Sequence, residues 1–293
     1  MNSAFDRSTE DIGNIVHLEH VNLTIPDQLV ATRFYISTLG LTRDPYMMTG
    51  TDNMWVNAGR TQFHLPHGKP QRFRGTITLV MPDREGLLTR LRNGAALLAG
   101  TEFAFEEQAR VVAVRCPWGN RLRCVAPDRE RFGDVVLGIA ELEFDVPEGA
   151  AAGIAAFYRD VLGADTAVAG DDDMRCARMR VGDGQTLAFR ETRDAPEVYD
   201  GHHIQIYVSD FSGPYRRLLD LGLVCEESSQ HQYRFVDIVD PATRAPLFRI
   251  EHEVRSLTHP LCARPLVNRN PRQNNRDYVR GRDAFVPPEQ QKA

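Results

Sequence analysis

Histidines and carboxylates at strand-like spacing are the residues of this sequence best suited to chemistry. His20 lies in the alternating run His20-Val21-Asn22-Leu23-Thr24-Ile25, and His64 in Gln62-Phe63-His64-Leu65. Further along come Glu141 with Glu143 and Asp145, the pair His202-His203, and the run Arg249-Ile250-Glu251-His252-Glu253. Imidazole nitrogens and carboxylate oxygens hold divalent transition metals and leave positions open for a substrate that offers two oxygens. Each of these residues also has an ordinary explanation. A strand histidine is often a hydrogen-bonded core group, and acidic runs such as Glu141 to Asp145 or Glu251 to Glu253 suit a charged sheet edge. Other chemistries lack their signatures. There is no Gly-x-Ser-x-Gly elbow and no phosphate-binding glycine loop. Gly182-Asp183-Gly184 reads as a hairpin turn, because no helical pattern follows it.

The 293 residues are enough for two ordinary domains. A hydrophobic share of 42% and a charged share of 26% place the chain among folded globular proteins. Its 35 basic and 40 acidic residues are well mixed, so no basic face for nucleic acid is expected. No apolar run approaches the ~20 residues that cross a bilayer. The polar, acidic opening from Met1 to Ile12 is unlike a secretory signal, so no membrane partner is expected. Five scattered cysteines without a Cys-x-x-Cys pair fit reduced thiols in a cytoplasmic protein. A homo-oligomer is the base-rate expectation for assembly.

The elements that must position these side chains recur four times. In the first segment Val21, Leu23 and Ile25 alternate with polar neighbours, the pattern of a strand with one apolar face. Asp27 can cap a helix, whose stripe is Leu29, Ala31, Phe34, Tyr35 and Leu39, and Gly40 stops it. Two strands, Asn53 to Asn57 and Thr61 to Leu65, then flank an Ala58-Gly59 turn. The second segment repeats the plan with a strand from Gly75 to Met81, a Leu87, Leu88, Leu91 helix, and a hairpin around Pro117 to Asn120. The third has Ile139 to Val146 and a helix whose Phe157-Tyr158-x-x-x-Leu162-Gly163 matches Phe34-Tyr35-x-x-x-Leu39-Gly40. The fourth has His202 to Val208, a helix ending at Gly222, and strands Tyr233 to Val239 and Leu247 to Glu253. Recurrence in the same order points to duplication. Residues 127–136 read as a charged linker. The Pro- and Asn-rich stretch 256–293 reads as an irregular tail, with Leu266, Tyr278 and Phe285 available for burial.

His20 to Asp27, Phe34-Tyr35, Leu39-Gly40-Leu41, Gly59 to Leu65 and the Cys116-Pro117-Trp118-Gly119-Asn120-Arg121 turn together resemble the modules of the vicinal oxygen chelate superfamily. That group includes glyoxalases, bleomycin-resistance proteins and extradiol dioxygenases. The likeness covers about residues 16–254. It implies an α+β fold of four βαβββ modules, paired into two cup-shaped, mostly antiparallel eight-stranded sheets with helices outside. It also implies an N-terminal domain over 13–128 and a C-terminal domain over 137–255. In such folds metal ligands come from first and closing strands of the modules. Carried over by position, the resemblance nominates Glu141, His203 and Glu251 in the C-terminal cup, with Glu143 as a rival for Glu141 and Arg249 as the other closing-strand position that could match Glu251. In the N-terminal cup it nominates His20 and His64 beside Thr76 and Arg123, an incomplete set that reads as degenerate. The dioxygenases of the family use two His and one Glu, and Glu141 departs from that pattern.

The implied cofactor is a divalent ion, Fe, Mn, Ni or Zn, and the implied partner a small oxygen-rich substrate. Gln205 and Tyr207 share the His203 face by two-residue spacing, and with Tyr233 they are the candidates to orient substrate. The expected function is a metal-dependent dioxygenase, lyase or isomerase. The alternative is a metal-free binding protein of the bleomycin-resistance kind, favoured by Thr76, Arg123 and Phe189 at ligand-equivalent positions.

Overall fold

A computed structural model describes residues 6–45, 47, 52–170, 174–194 and 198–263. Among the described residues, sixteen strands fall into four runs of four. The first run is β1 (Ile15–Asn22), β2 (Thr42–Arg43), β3 (Asn53–Ala58) and β4 (Thr61–Pro66). The second is β5 (Gly75–Val80), β6 (Ala104–Glu107), β7 (Val111–Arg115) and β8 (Arg121–Val125). The third is β9 (Gly138–Pro147), β10 (Thr166–Ala169), β11 (Cys176–Gly182) and β12 (Gln185–Thr192). The fourth is β13 (His203–Val208), β14 (Val224–Ser229), β15 (Gln232–Val239) and β16 (Pro246–Ser256). After each first strand comes a helix: α1 (Gln28–Ala31), α2 (Arg84–Gly94), then, beyond the short α3 (Arg129–Phe132) in the charged linker, α4 (Ala151–Asp160) and α5 (Ser212–Asp220). The expected irregular tail lies outside the described residues from 264 onward.

Chain packing defines two compact units. Among the described residues, one comprises 20–128, 135–139 and 260–263; the other comprises 6–19, 129–134 and 140–259. Each run has the same local wiring, because in each the closing strand pairs parallel to the first and antiparallel to the strand before it. In the first unit these pairs are β1 with β4 and β5 with β8; in the second they are β9 with β12 and β13 with β16. A parallel return requires a crossover, and the helix supplies it. The remaining pairings within the runs are antiparallel, so the sheets are mixed and mostly antiparallel, as the resemblance implied. Their strand orders are β14-β15-β16-β13-β1-β4-β3-β2 and β10-β11-β12-β9-β5-β8-β7-β6. Run one thus shares a sheet with run four, and run two with run three. The resemblance implied neighbouring runs as partners. Strand periodicity determines which face a side chain takes, and it carries no information on which edge a strand joins.

Local chemistry explains the elements. Asp27 caps α1, its side chain accepting from the Leu29 and Val30 amides. Beyond α1 the chain widens into a π-helix, Thr32–Thr38, where the Leu39 amide reaches back to the Phe34 carbonyl. The extra residue in that turn lets Phe34, Tyr35 and Leu39 all be buried. Gly40 ends it at φ 83°, a conformation costly for residues with a Cβ. Gly59 turns the β3–β4 hairpin at φ 61°, and a Cβ there would lie 1.7 Å from the Leu137 carbonyl oxygen. On the helix-covered face of the second unit Phe144, Phe189 and Phe248 pack together, with ring centroids 5.1–5.7 Å apart. Each such buried ring stabilises the fold by roughly 1.5–3 kcal/mol.

Candidate metal centre

Register places the polar side chains on one face of the first sheet. His20 is opposite Gln62, and Asn22 opposite His64, across β1 and β4. Trp55 of β3 is opposite His64. On β13 and β16, His203 is opposite Glu251, Gln205 opposite Glu253, and Tyr207 opposite Arg255. Side chains of paired residues share a face, so each set is contiguous.

In the first unit the two imidazoles are packed and oriented. His20 is buried and meets Trp55 and His64 edge-on, at 5.0 and 5.7 Å between ring centroids. Trp55 lies flat on His64 at 3.8 Å. His64 Nε2 is 2.7 Å from Asn53 Oδ1, and its Nδ1 is 2.6 Å from Asn22 Nδ2. Nearby, the Gln62 amide donates to Asn57 Oδ1 and to the buried Asp44 carboxylate.

The second unit surrounds His203 with charge. Its Nδ1 is 3.5 Å from Glu251 Oε1, and its Nε2 is 3.7 Å from Glu253 Oε2. Arg234 of β15 reaches both carboxylates, at 2.5 Å each. Arg255 holds the other oxygen of Glu253 at 2.5 Å and Glu19 at 3.1 Å, and the Tyr207 hydroxyl donates to Glu19 at 3.2 Å. Burial pushes the Glu253 carboxyl above the ordinary carboxylate range, although Arg255 and Arg234 pull it down. The guanidinium of Arg234 is held above its usual value. Burial opposes its charge, and Glu253 and Glu251 more than offset that.

His20, His64 and His203 form a group able to hold a metal. One ligand atom from each lies within 4.8 Å of the others. Three neutral nitrogen donors with carboxylates close by suit a borderline divalent cation, and they leave coordination positions open for other ligands. The donor set therefore fits the divalent ion implied by the sequence.

The ligand trio nominated from sequence is not brought together. Glu141 is on β9 in the second sheet, buried, with Arg178 at 2.5 Å and Arg131 at 3.7 Å from its carboxylate. Its rival Glu143 is paired with Arg190 at 2.7 Å. Both are ion-paired interior carboxylates. His203 and Glu251 do lie side by side, and His20 and His64 stand with His203. Among the residues nominated to orient substrate, Gln205 and Tyr207 sit on the His203 face. Tyr233 does not. It is opposite Val254, one residue out of phase with Arg234, and packs on Phe211 and Tyr215. Phe189 likewise belongs to the helix-covered core. Asn22, Asn53, Trp55 and Arg234 also line these groups, and the sequence expectations do not include them. Asn22 carried a signal, because it follows His20 by two; the others come from β3 and β15, whose neighbours only the register reveals.

No family model and no curated protein sequence matches the chain. Solved structures do. Glyoxalase I from Zea mays superposes with a TM-score of 0.55 over 82% of this chain and 92% of that one, at 11% identity. This is the vicinal oxygen chelate fold. A single-residue variant of the maize enzyme matches at 0.56 with 11% identity, over 82% of this chain and 92% of that one. A Bacillus subtilis protein, provisionally named a dioxygenase, matches at 0.54 with 15% identity, over 84% and 86% of the two chains. At such identities the likeness is one of fold. Within the vicinal oxygen chelate architecture, His20 and His203 occupy first strands and His64 a closing strand, the element types from which the resemblance implied ligands. No helix among the described residues is long and apolar enough to cross a membrane.

Proposed function

We propose that this chain is a metal-dependent enzyme acting on a small, oxygen-rich molecule, with its ion held by His20, His64 and His203. The observation that carries this reading is the grouping of three imidazole ligand atoms within 4.8 Å. The names of the structural relatives, a glyoxalase and a protein provisionally named a dioxygenase, support isomerase, lyase or dioxygenase chemistry. When bound, the ion supplies Lewis acidity to paired substrate oxygens. The protein's own residues do the rest. Glu251, beside His203 and partly exposed, would hold a substrate proton on Oε2, because Arg234 is paired with Oε1. Gln205 offers an amide to orient the substrate. It is wholly buried, and among the described residues its side-chain nitrogen and oxygen have no hydrogen-bond partner. Trp55 supplies an apolar wall beside the histidines.

A metal-free binding protein is the second reading. It is favoured by Arg234, which already neutralises both Glu251 and Glu253 without an ion. Metal analysis of protein purified without chelator, followed by calorimetric titration with Zn, Ni, Mn and Fe(II), separates the two. The enzyme reading expects about one ion per chain, with affinity falling by more than ~10-fold in each of His20→Ala, His64→Ala and His203→Ala. Absence of binding for all four ions would refute it and leave the second reading.

A further inference from the structure

His64 is held from both sides by amides whose chemistry is one-directional. An amide NH2 can only donate, and an amide oxygen can only accept. Asn22 Nδ2, at 2.6 Å, therefore needs a lone pair on His64 Nδ1, and Asn53 Oδ1, at 2.7 Å, needs a proton on Nε2. Both demands are met by one neutral tautomer, Nε2–H. Two side chains from different strands, β1 and β3, agree on it independently. Trp55 lies flat on the ring at 3.8 Å, which limits its rotation. His20 stands edge-on to the same ring.

From this geometry we infer that Asn53 and Asn22 are positioning residues that make Nδ1 the ligating nitrogen of His64. This rests on the metal-centre reading above. Asn53 fixes the tautomer and the ring plane, as an outer hydrogen-bond acceptor does for a ligating histidine. Asn22 is a placeholder. Its NH2 occupies the Nδ1 lone pair and has to turn away before an ion can take that position. The two residues consequently act on metal affinity in opposite directions, a pattern that a merely structural role for both would not give.

The test is made on the full chain in two measurements. First, 15N–1H correlation spectra of the metal-free protein at about pH 8, where an ordinary imidazole is neutral, report the His64 tautomer. The expected pattern is Nε2–H with an unprotonated Nδ1, assigned by its loss in His64→Ala. Second, zinc affinity is measured by competition with a chromophoric chelator. Asn53→Ala is expected to bind zinc ~10–100-fold more weakly. Asn53→Asp, which keeps an acceptor oxygen in place, is expected to retain most of the affinity. Asn22→Ala is expected to bind ~2–10-fold more tightly, the worth of one neutral hydrogen bond no longer broken. An Nδ1–H spectrum, or an unchanged zinc affinity in folded Asn53→Ala, would overturn the inference with the metal centre intact. Zinc binding absent from wild type, with the Nε2–H spectrum observed, would overturn the metal-centre reading and the ligand role of Nδ1 together.

Discussion

Arg234→Met tests how charge is balanced around His203. The guanidinium contacts Glu251 and Glu253 at 2.5 Å each, and the methionine would keep much of its volume while removing the charge. Removing one partner of a buried ion pair costs ~3–5 kcal/mol, because the remaining charge stays desolvated. Two features reduce that here. The Glu251 side chain is 22% exposed and keeps some water, and Arg255 still grips the second oxygen of Glu253. The expected loss at neutral pH is therefore at the lower end, ~3 kcal/mol. The pH dependence gives a sharper check. Glu253 already has its carboxyl raised in the folded state, and losing a cation raises it further. A carboxyl raised on folding favours the native state below the unfolded value of 4.5, and that advantage is lost as pH climbs through the folded value. The cost of the substitution should thus be small near pH ~4.5 and larger at pH ~7.5. Urea denaturation of both proteins at those two pH values measures it. A difference under ~1 kcal/mol at the higher pH, or an equal difference at both, would refute the charge-balance reasoning.

Other substitutions probe the rest of the structure. Gln205→Met replaces a buried amide that has no partner among the described residues, so it should stabilise the ligand-free protein by ~1–2 kcal/mol in thermal unfolding; a loss of stability would mean the amide is satisfied. His252 is fully buried between the Tyr158 hydroxyl and the Ile250 carbonyl, and burial lowers its pKa to about 3. Its folded value is depressed, so its contribution is complete above the ordinary value of 6.5 and is lost as pH falls toward 3. Between those limits wild type should lose ~1.4 kcal/mol per pH unit more than His252→Phe in denaturant titrations, and parallel curves would exclude the assignment. Gly59→Ala, at φ 61° with a carbonyl in the way, should cost more than ~2 kcal/mol in the same assay; a neutral result would mean the hairpin can re-form around Cβ.

Much of the architecture could be read from the residues. Asp27, Gly40 and the alternation of Val21, Leu23 and Ile25 act through their own backbone, so helix starts, helix stops and strand faces are local properties. The inward faces of His20, His64 and His203 follow from the same two-residue period. Which faces confront each other does not. Module order alone groups Glu141 with His203 and Glu251, and only the strand order places β9 in the other sheet. Tyr233 failed for a smaller reason. Alternate residues take opposite faces, and the register of β15 puts Arg234, opposite Glu253, on the His203 side, so Tyr233 points to the other. Asn22, Asn53 and Arg234 gain their roles from cross-strand pairing, and no single strand contains that information.

The strand order has a kinetic consequence. Arg255 closes on Glu19 across 236 positions of sequence, and Tyr207 reaches the same carboxylate across 188. During synthesis β13, the sheet neighbour of β1, leaves the ribosome only after β1 and both inner runs. Until then one flank of β1 has unsatisfied amides and carbonyls, a template for wrong pairing. Such long-range closure predicts slow folding, with the histidine group completed only once β13 is available.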